Sequence, residues 1–182
     1  MNRSDVDNLI SATGLLLGAL LLAASGALFW THSFIHGQVH NQLAAEKIYF
    51  PTAGSAGMTA LHQPDLDQVA RYAGQQLLTG AQAEVFADHF IAVHLRAIGG
   101  GKTYSELSAA AIADPANAKL AGQVQTVFRG ETLRGLLLNA YAFDTMAVVA
   151  RYAAWGALIA GLELIVLALI GFRHAKEAAK RR

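Results

Sequence analysis

The sequence predicts an all-α membrane protein, with two transmembrane helices joined by an extracytoplasmic bundle of about four helices. Three observations carry this. Residues 152–172, YAAWGALIAGLELIVLALIGF, are nearly all apolar. At about 1.5 Å of rise per residue, such a run covers a hydrocarbon layer of roughly 30 Å. Residues 9–30, LISATGLLLGALLLAASGALFW, contain no charge. Between these runs strand signals are nearly absent, and apolar residues recur at helical spacing.

Residues 1–8 are short and polar, with Arg3 against Asp5 and Asp7. The first span, 9–30, ends in Phe29-Trp30, as expected where amphipathic rings meet headgroups. A cleavable signal peptide, cut near residues 24–27, is the alternative. The run is longer than the roughly 7–15 apolar residues of such peptides and its leading segment is barely basic, so a retained span is expected. The second span is taken as 147–172. The tail 173–182 carries Arg173, Lys176, Lys180, Arg181 and Arg182 against Glu177 alone. Positive flanks stay in the cytoplasm, which places both termini inside and residues 31–146 outside.

The outer region opens on THSFIHGQVHNQLAAEKIYF, where Ile35, Val39, Gln42 and Leu43 share a helical face. The first span should therefore continue as helix towards Lys47. Residues 51–63 read as a loop rich in Gly, Pro, Ser and Thr. Pro64 suits the first turn of a helix reaching about Leu78, with Leu66, Val69, Ala73 and Leu77 on one face. Gly80 marks a break. A helix over 81–98 follows, striped by Phe86, Phe90, Val93 and Ala97. Thr103 and Glu106 form a capping box, and Asp114-Pro115 reads as another helix start. That last helix carries Leu120, Val124, Val127 and Phe128 and should run on towards the second span, with a kink expected at Gly130 or Gly135. The one β-like patch is Ile48-Tyr49-Phe50, next to Pro51.

Composition excludes several chemistries. The chain has no cysteine, so disulfides, thiolate metal sites and cysteine nucleophiles are absent. A net charge of +1 gives no argument for nucleic-acid binding. The motifs G-x-S-x-G and H-E-x-x-H do not occur. Gly99-Gly100-Gly101-Lys102-Thr103 imitates the end of a phosphate loop, but the pattern needs glycine where Arg96 stands. It reads instead as a helix end, a turn and a helix start.

Two features point to chemistry or assembly. Glu163 lies mid-span, where an ionisable group costs about 2.5–3.5 kcal/mol on insertion scales and usually faces protein. An antiparallel hairpin would put it near Gly18, with Ser11, Thr13 and Ser25 only at a distance. A hydrogen bond to another helix is the favoured role, with a tolerated or lipid-facing neutral acid and a proton or ion relay as the alternatives. Gly14 and Gly18 form a GxxxG match, which allows close helix approach; it fits packing of the two spans and oligomer formation equally well. The second feature is His32, His36 and His40, spaced four apart on one helix face. A pair of them could share Zn or Cu with a further ligand. His89 and His94 are the candidate additions, with Glu84 and Asp88. A wet face just outside the membrane, or a pH-responsive cluster, are the competing readings.

The strings YAGQQLLTGAQAEVFADHFIAVHL (72–95), GGKTYSEL (100–107) and LAGQVQTVFRGETLRGLLLNAYAF (120–143) resemble an uncharacterised family of two-span actinobacterial membrane proteins. The resemblance covers most of the outer region and reaches into the second span. It implies a fold and a membrane location and carries over no catalytic residue.

The expectation is a non-enzymatic, multi-pass protein of a bacterial plasma membrane. It would be an oligomeric or accessory subunit whose outer helical domain engages another component, with a second copy or another membrane protein as partner and Glu163, Gly14 and Gly18 mediating association in the membrane. Alternatives are an extracytoplasmic sensory or ligand-binding module and a histidine-based Zn or Cu protein.

Overall fold

The computed structural model describes residues 3–180, the side chains of Arg3 and Ala179 excepted. Arg181 and Arg182 of the basic tail, and the Arg3 side chain set against Asp5 and Asp7, lie outside the described residues. Regular structure among them is helical: α1 (Arg3–Glu46), α2 (Ala56–Thr59), α3 (Asp65–Ala70), α4 (Gly80–Val85), a π-helical turn (Phe86–Ile91), α5 (Ala92–Ile98), α6 (Tyr104–Ala113) and α7 (Ala118–Lys180). Helices α1 and α7 are 44 and 63 residues long, and both are long and apolar enough to cross a membrane. The chain divides into two compact units, Met1–Phe34 with Met146–Arg182, and Ile35–Thr145.

In the first unit α1 and α7 run antiparallel along a seam of small residues. Ser11, Gly18 and Ser25 are buried on α1, and Ala147, Ala154, Gly161, Ala168 and Ala175 on α7. Each set repeats every seven residues, the period that gives a left-handed supercoil. A Cβ at Gly18 would lie 2.9 Å from the Gly161 carbonyl oxygen, so glycine is what permits this approach. Gly14 faces Ala168 and Leu164, and Gly171 receives the Ser11 hydroxyl. The Ser25 hydroxyl donates to the Ala154 carbonyl at 2.9 Å. At the other end of the pair Phe29 meets Trp155 edge-on, with centroids 5.3 Å apart, and Trp30, Tyr152 and Trp155 are exposed. The GxxxG face is thus occupied by α7 of the same chain.

The second unit has a core of larger residues. Phe50, Val69, Leu77, Phe86, Leu95 and Leu137 are buried in it, together with Val39 and Leu43 of α1. The helix expected from Pro64 to Leu78 stops at Ala70. Gly74, at φ 72°, turns the chain, and residues 75–77 extend to pair with the β-like patch. Phe50 N–H donates to the Gln75 carbonyl, and Leu77 N–H to that of Ile48, each at 2.9 Å. Val69 and Leu77 still reach the core, although they belong to one helix and one extended segment.

The stretch 80–98 is helical throughout but not uniformly α. Thr79 caps it in a reciprocal box with Gln82, where the sequence showed only a break at Gly80. Its middle, Phe86–Ile91, widens into a π turn. The Thr103–Glu106 box forms as expected, and Gly100 and Gly101 take positive φ between α5 and α6. The last helix starts at Ala118 rather than Pro115. Asp114 ends α6, while Asn117 accepts from Leu120 N–H at 3.1 Å. Helix α7 is unbroken at Gly130 and Gly135. Gly130 is instead the hollow that receives Leu95, whose side chain leaves no room for a Cβ.

Candidate functional site

Three carboxylates tie the stretch 80–98 to its surroundings. Asp144 on α7 accepts from the Gly80 N–H at 3.1 Å and from His36 Nδ1 at 2.8 Å. A Cβ at Gly80 would collide with Asp144, so glycine is required there. Asp65, in the first turn of α3, accepts from His89 Nδ1 at 2.7 Å. Asp88, carried on the π turn, accepts from Arg134 Nε and Nη2 at 3.1 and 2.8 Å. Glu131 adds a contact to Arg134 Nη1 at 3.3 Å. The bond to Asp88 is the largest reason why the Arg134 guanidinium holds its proton more tightly than usual. Glu106 shifts the other way: the backbone N–H and then the hydroxyl of Thr103 stabilise its carboxylate and lower its pKa.

The histidines singled out from sequence do not gather. His32 Nδ1 donates to the Ala147 carbonyl at 2.9 Å, and His94 Nδ1 to that of Phe90 at 2.8 Å. His36 and His89 bond to Asp144 and Asp65, while His40 is exposed. Among the described residues, no group of three or more His, Asp or Glu side chains is placed to hold a metal ion. Each imidazole Nδ1 that meets a carbonyl must be the donor, since a carbonyl only accepts. These bonds fix ring orientation, and that of His32 also links α1 to α7.

Glu163 is different. It is exposed on α7, two positions past the seam residue Gly161. Gly18 is opposite that part of α7, as the hairpin register implied, but the carboxyl points away from the seam. The neighbouring hydroxyls are committed elsewhere: Ser25 to Ala154, and Thr13 to the Leu9 carbonyl at 3.0 Å. Among the described residues Glu163 has no hydrogen bond or ion pair. On the same face, one heptad back, Gly156 has nothing within 4 Å of a would-be Cβ. Tyr152, Ile159, Val166 and Ile170 complete that face, all exposed.

The second unit also has two clefts. One of about 330 Å³ is lined mainly by Val39, Leu43, Ile48, Leu136 and Phe143. The other, about 200 Å³, is lined by Arg96, Lys102, Thr103, Glu131 and Arg134 among others.

Fold and site together define a helical protein with two candidate membrane spans, a closed small-residue seam and, facing away from that seam, the Glu163 carboxyl, which has no partner among the described residues. Comparison of the chain with known protein families, with curated proteins and with solved structures finds no match.

Proposed function

We propose that this chain is a non-enzymatic integral membrane protein of a bacterial plasma membrane, with both termini cytoplasmic. It acts as an oligomeric or accessory subunit, joined to another membrane component through the outward face of its second span. The observation that carries this reading is Glu163. A carboxyl within hydrocarbon is costly unless it is neutral and hydrogen-bonded, and the described residues of its own chain supply no partner. A bond from a neighbouring helix meets that need. The exposed rings of Trp30, Tyr152 and Trp155 at one end of the pair fit a headgroup layer. The basic tail supports the orientation.

Native mass spectrometry of the full chain in mild detergent, with elemental analysis of the same sample, tests this. A defined assembly, with itself or with another protein, is the expected result. A monomer holding one Zn or Cu that is lost in the His36→Ala/His40→Ala variant would overturn it in favour of the metal reading. The groove at Leu136 and Phe143 favours a second reading, a module for an apolar ligand. That reading expects an apolar small molecule to co-purify and to be lost in Phe143→Asp.

A further inference from the structure

We infer that the component meeting Glu163 is a second copy of this chain, so that the two Glu163 carboxyls pair across a twofold axis normal to the membrane. This rests on the subunit reading above and names its partner. A protonated carboxyl has one donor and one acceptor, so two of them satisfy each other reciprocally. A second copy inserted with the same topology brings its carboxyl to the same depth, and it does so on the same surface patch, as an isologous contact requires. A basic partner would have to bring a further buried charge to that depth, at a comparable insertion cost.

The shape of the face agrees. The seam glycines, Gly18 and Gly161, are already closed against each other and cannot serve a second helix. Gly156 is open, as is Gly26 on the first helix, but of the two only Gly156 shares a helix face with Glu163. It lies about 10 Å along the axis from Glu163, on the same side of a helix whose seam repeats every seven residues. Helices touching at Gly156 and crossing at about 20° separate by only a few ångströms at Glu163, within reach of two carboxyl side chains. Ile159 and Val166, both exposed, flank the carboxyl above and below and would shield the pair.

The chain has no cysteine, so single-cysteine variants report proximity without background. In native membranes, Gly156→Cys should give an oxidative dimer, while Ala12→Cys, on the exposed side of the first span, should not. The side chain at 156 enters open space, so the variant leaves the monomer intact. In detergent, Glu163→Gln keeps a donor and an acceptor and should stay dimeric. Glu163→Leu should lower the dimer association constant about threefold to tenfold, the range for hydrogen bonds between membrane helices. Equal cross-linking at 156 and 12, or none at 156, overturns the inference, as does an unchanged dimer in Glu163→Leu. If a different protein co-purifies and no dimer forms through 156, the second copy is wrong while the subunit reading stands. A monomer with no partner at all removes both.

Discussion

Between the two candidate spans the buried positions are Ser11, Gly18, Ser25, Ala147, Ala154, Gly161 and Ala168. In the second unit, Ile35–Thr145, they are Phe50, Leu77, Phe86, Leu95 and Leu137. On the proposed membrane location of the span pair, the contrast follows from solvent. In lipid, burying a leucine against another helix gains little, because acyl chains are equally apolar, so close backbone approach and hydrogen bonds hold helices together. In water, apolar area removed from solvent is worth about 25 cal/mol per Å², and large side chains dominate. Polar groups divide the same way. The second unit pairs its buried-edge carboxylates with His36, His89 and Arg134. The span pair bonds serine and histidine to backbone carbonyls and leaves Glu163 on its outer face.

The largest expected effect is in the core of the second unit. Phe50 is 2% exposed and touches Tyr72 and Phe86, so Phe50→Ala should destabilise that unit by about 3–5 kcal/mol. Limited proteolysis between residues 47 and 117, against denaturant, measures it; unchanged resistance would contradict a core of this kind. The seam should respond to size rather than to loss. Gly18→Leu must displace Ile165 and the Gly161 backbone, at about 1–3 kcal/mol or more. Gly26→Leu, in open space, should be neutral. A Ser25→Cys/Ala154→Cys cross-link that forms with Gly26→Leu but fails with Gly18→Leu reads the difference, and equal yields would break the comparison.

Smaller effects sharpen it. Thr79→Ala removes the cap of the stretch 80–98 and should cost about 1 kcal/mol, seen as a lower melting temperature in the full chain and restored by Thr79→Ser. Ser25→Ala loses one bond between membrane helices, about 0.6 kcal/mol, measurable as a modest fall in resistance to denaturing detergent. The smallest is a pH effect. Glu106 has a lowered pKa in the folded chain, so its contribution is complete above the ordinary carboxylate value of about 4.3. That contribution is lost as pH falls through the lower folded value. The protection factor of the Thr103 amide against exchange should fall over that acidic window and stay constant there in Glu106→Gln.

Much of this architecture was legible in local pattern. The runs 9–30 and 152–172 lie within α1 and α7, and the extension of α1 to Glu46, the Thr103 box and the glycine turn before it were each written in a few adjacent residues. What was not legible depends on distant partners. The early end of α3 is compensated by hydrogen bonds from residues 75–77 to 48–50. Gly130 reads as a kink until Leu95 is seen filling it. The heptads of Ser, Gly and Ala are faint on a scale that rewards large apolar residues. For the candidate site, the register that sets Gly18 against the helix at Gly161 and Ile165, beside Glu163, followed from counting along a hairpin. The outward direction of Glu163 did not, because that depends on which face the seam claims. The histidine spacing was visible, but the acceptors Asp65 and Asp144 lie 24 and 108 residues away.

The π turn at Phe86–Ile91 has a consequence for chain length. A turn with one residue more than an α turn acts as a phase shift of about 100° between the segments on either side of it. Upstream, Gly80 must face Asp144; downstream, Leu95 must face Gly130. Deleting one residue from the turn would restore uniform α winding and misalign these two contacts. Restoring the residue count, even with a different residue, would bring both back. At this point the length of the chain is constrained more tightly than its composition.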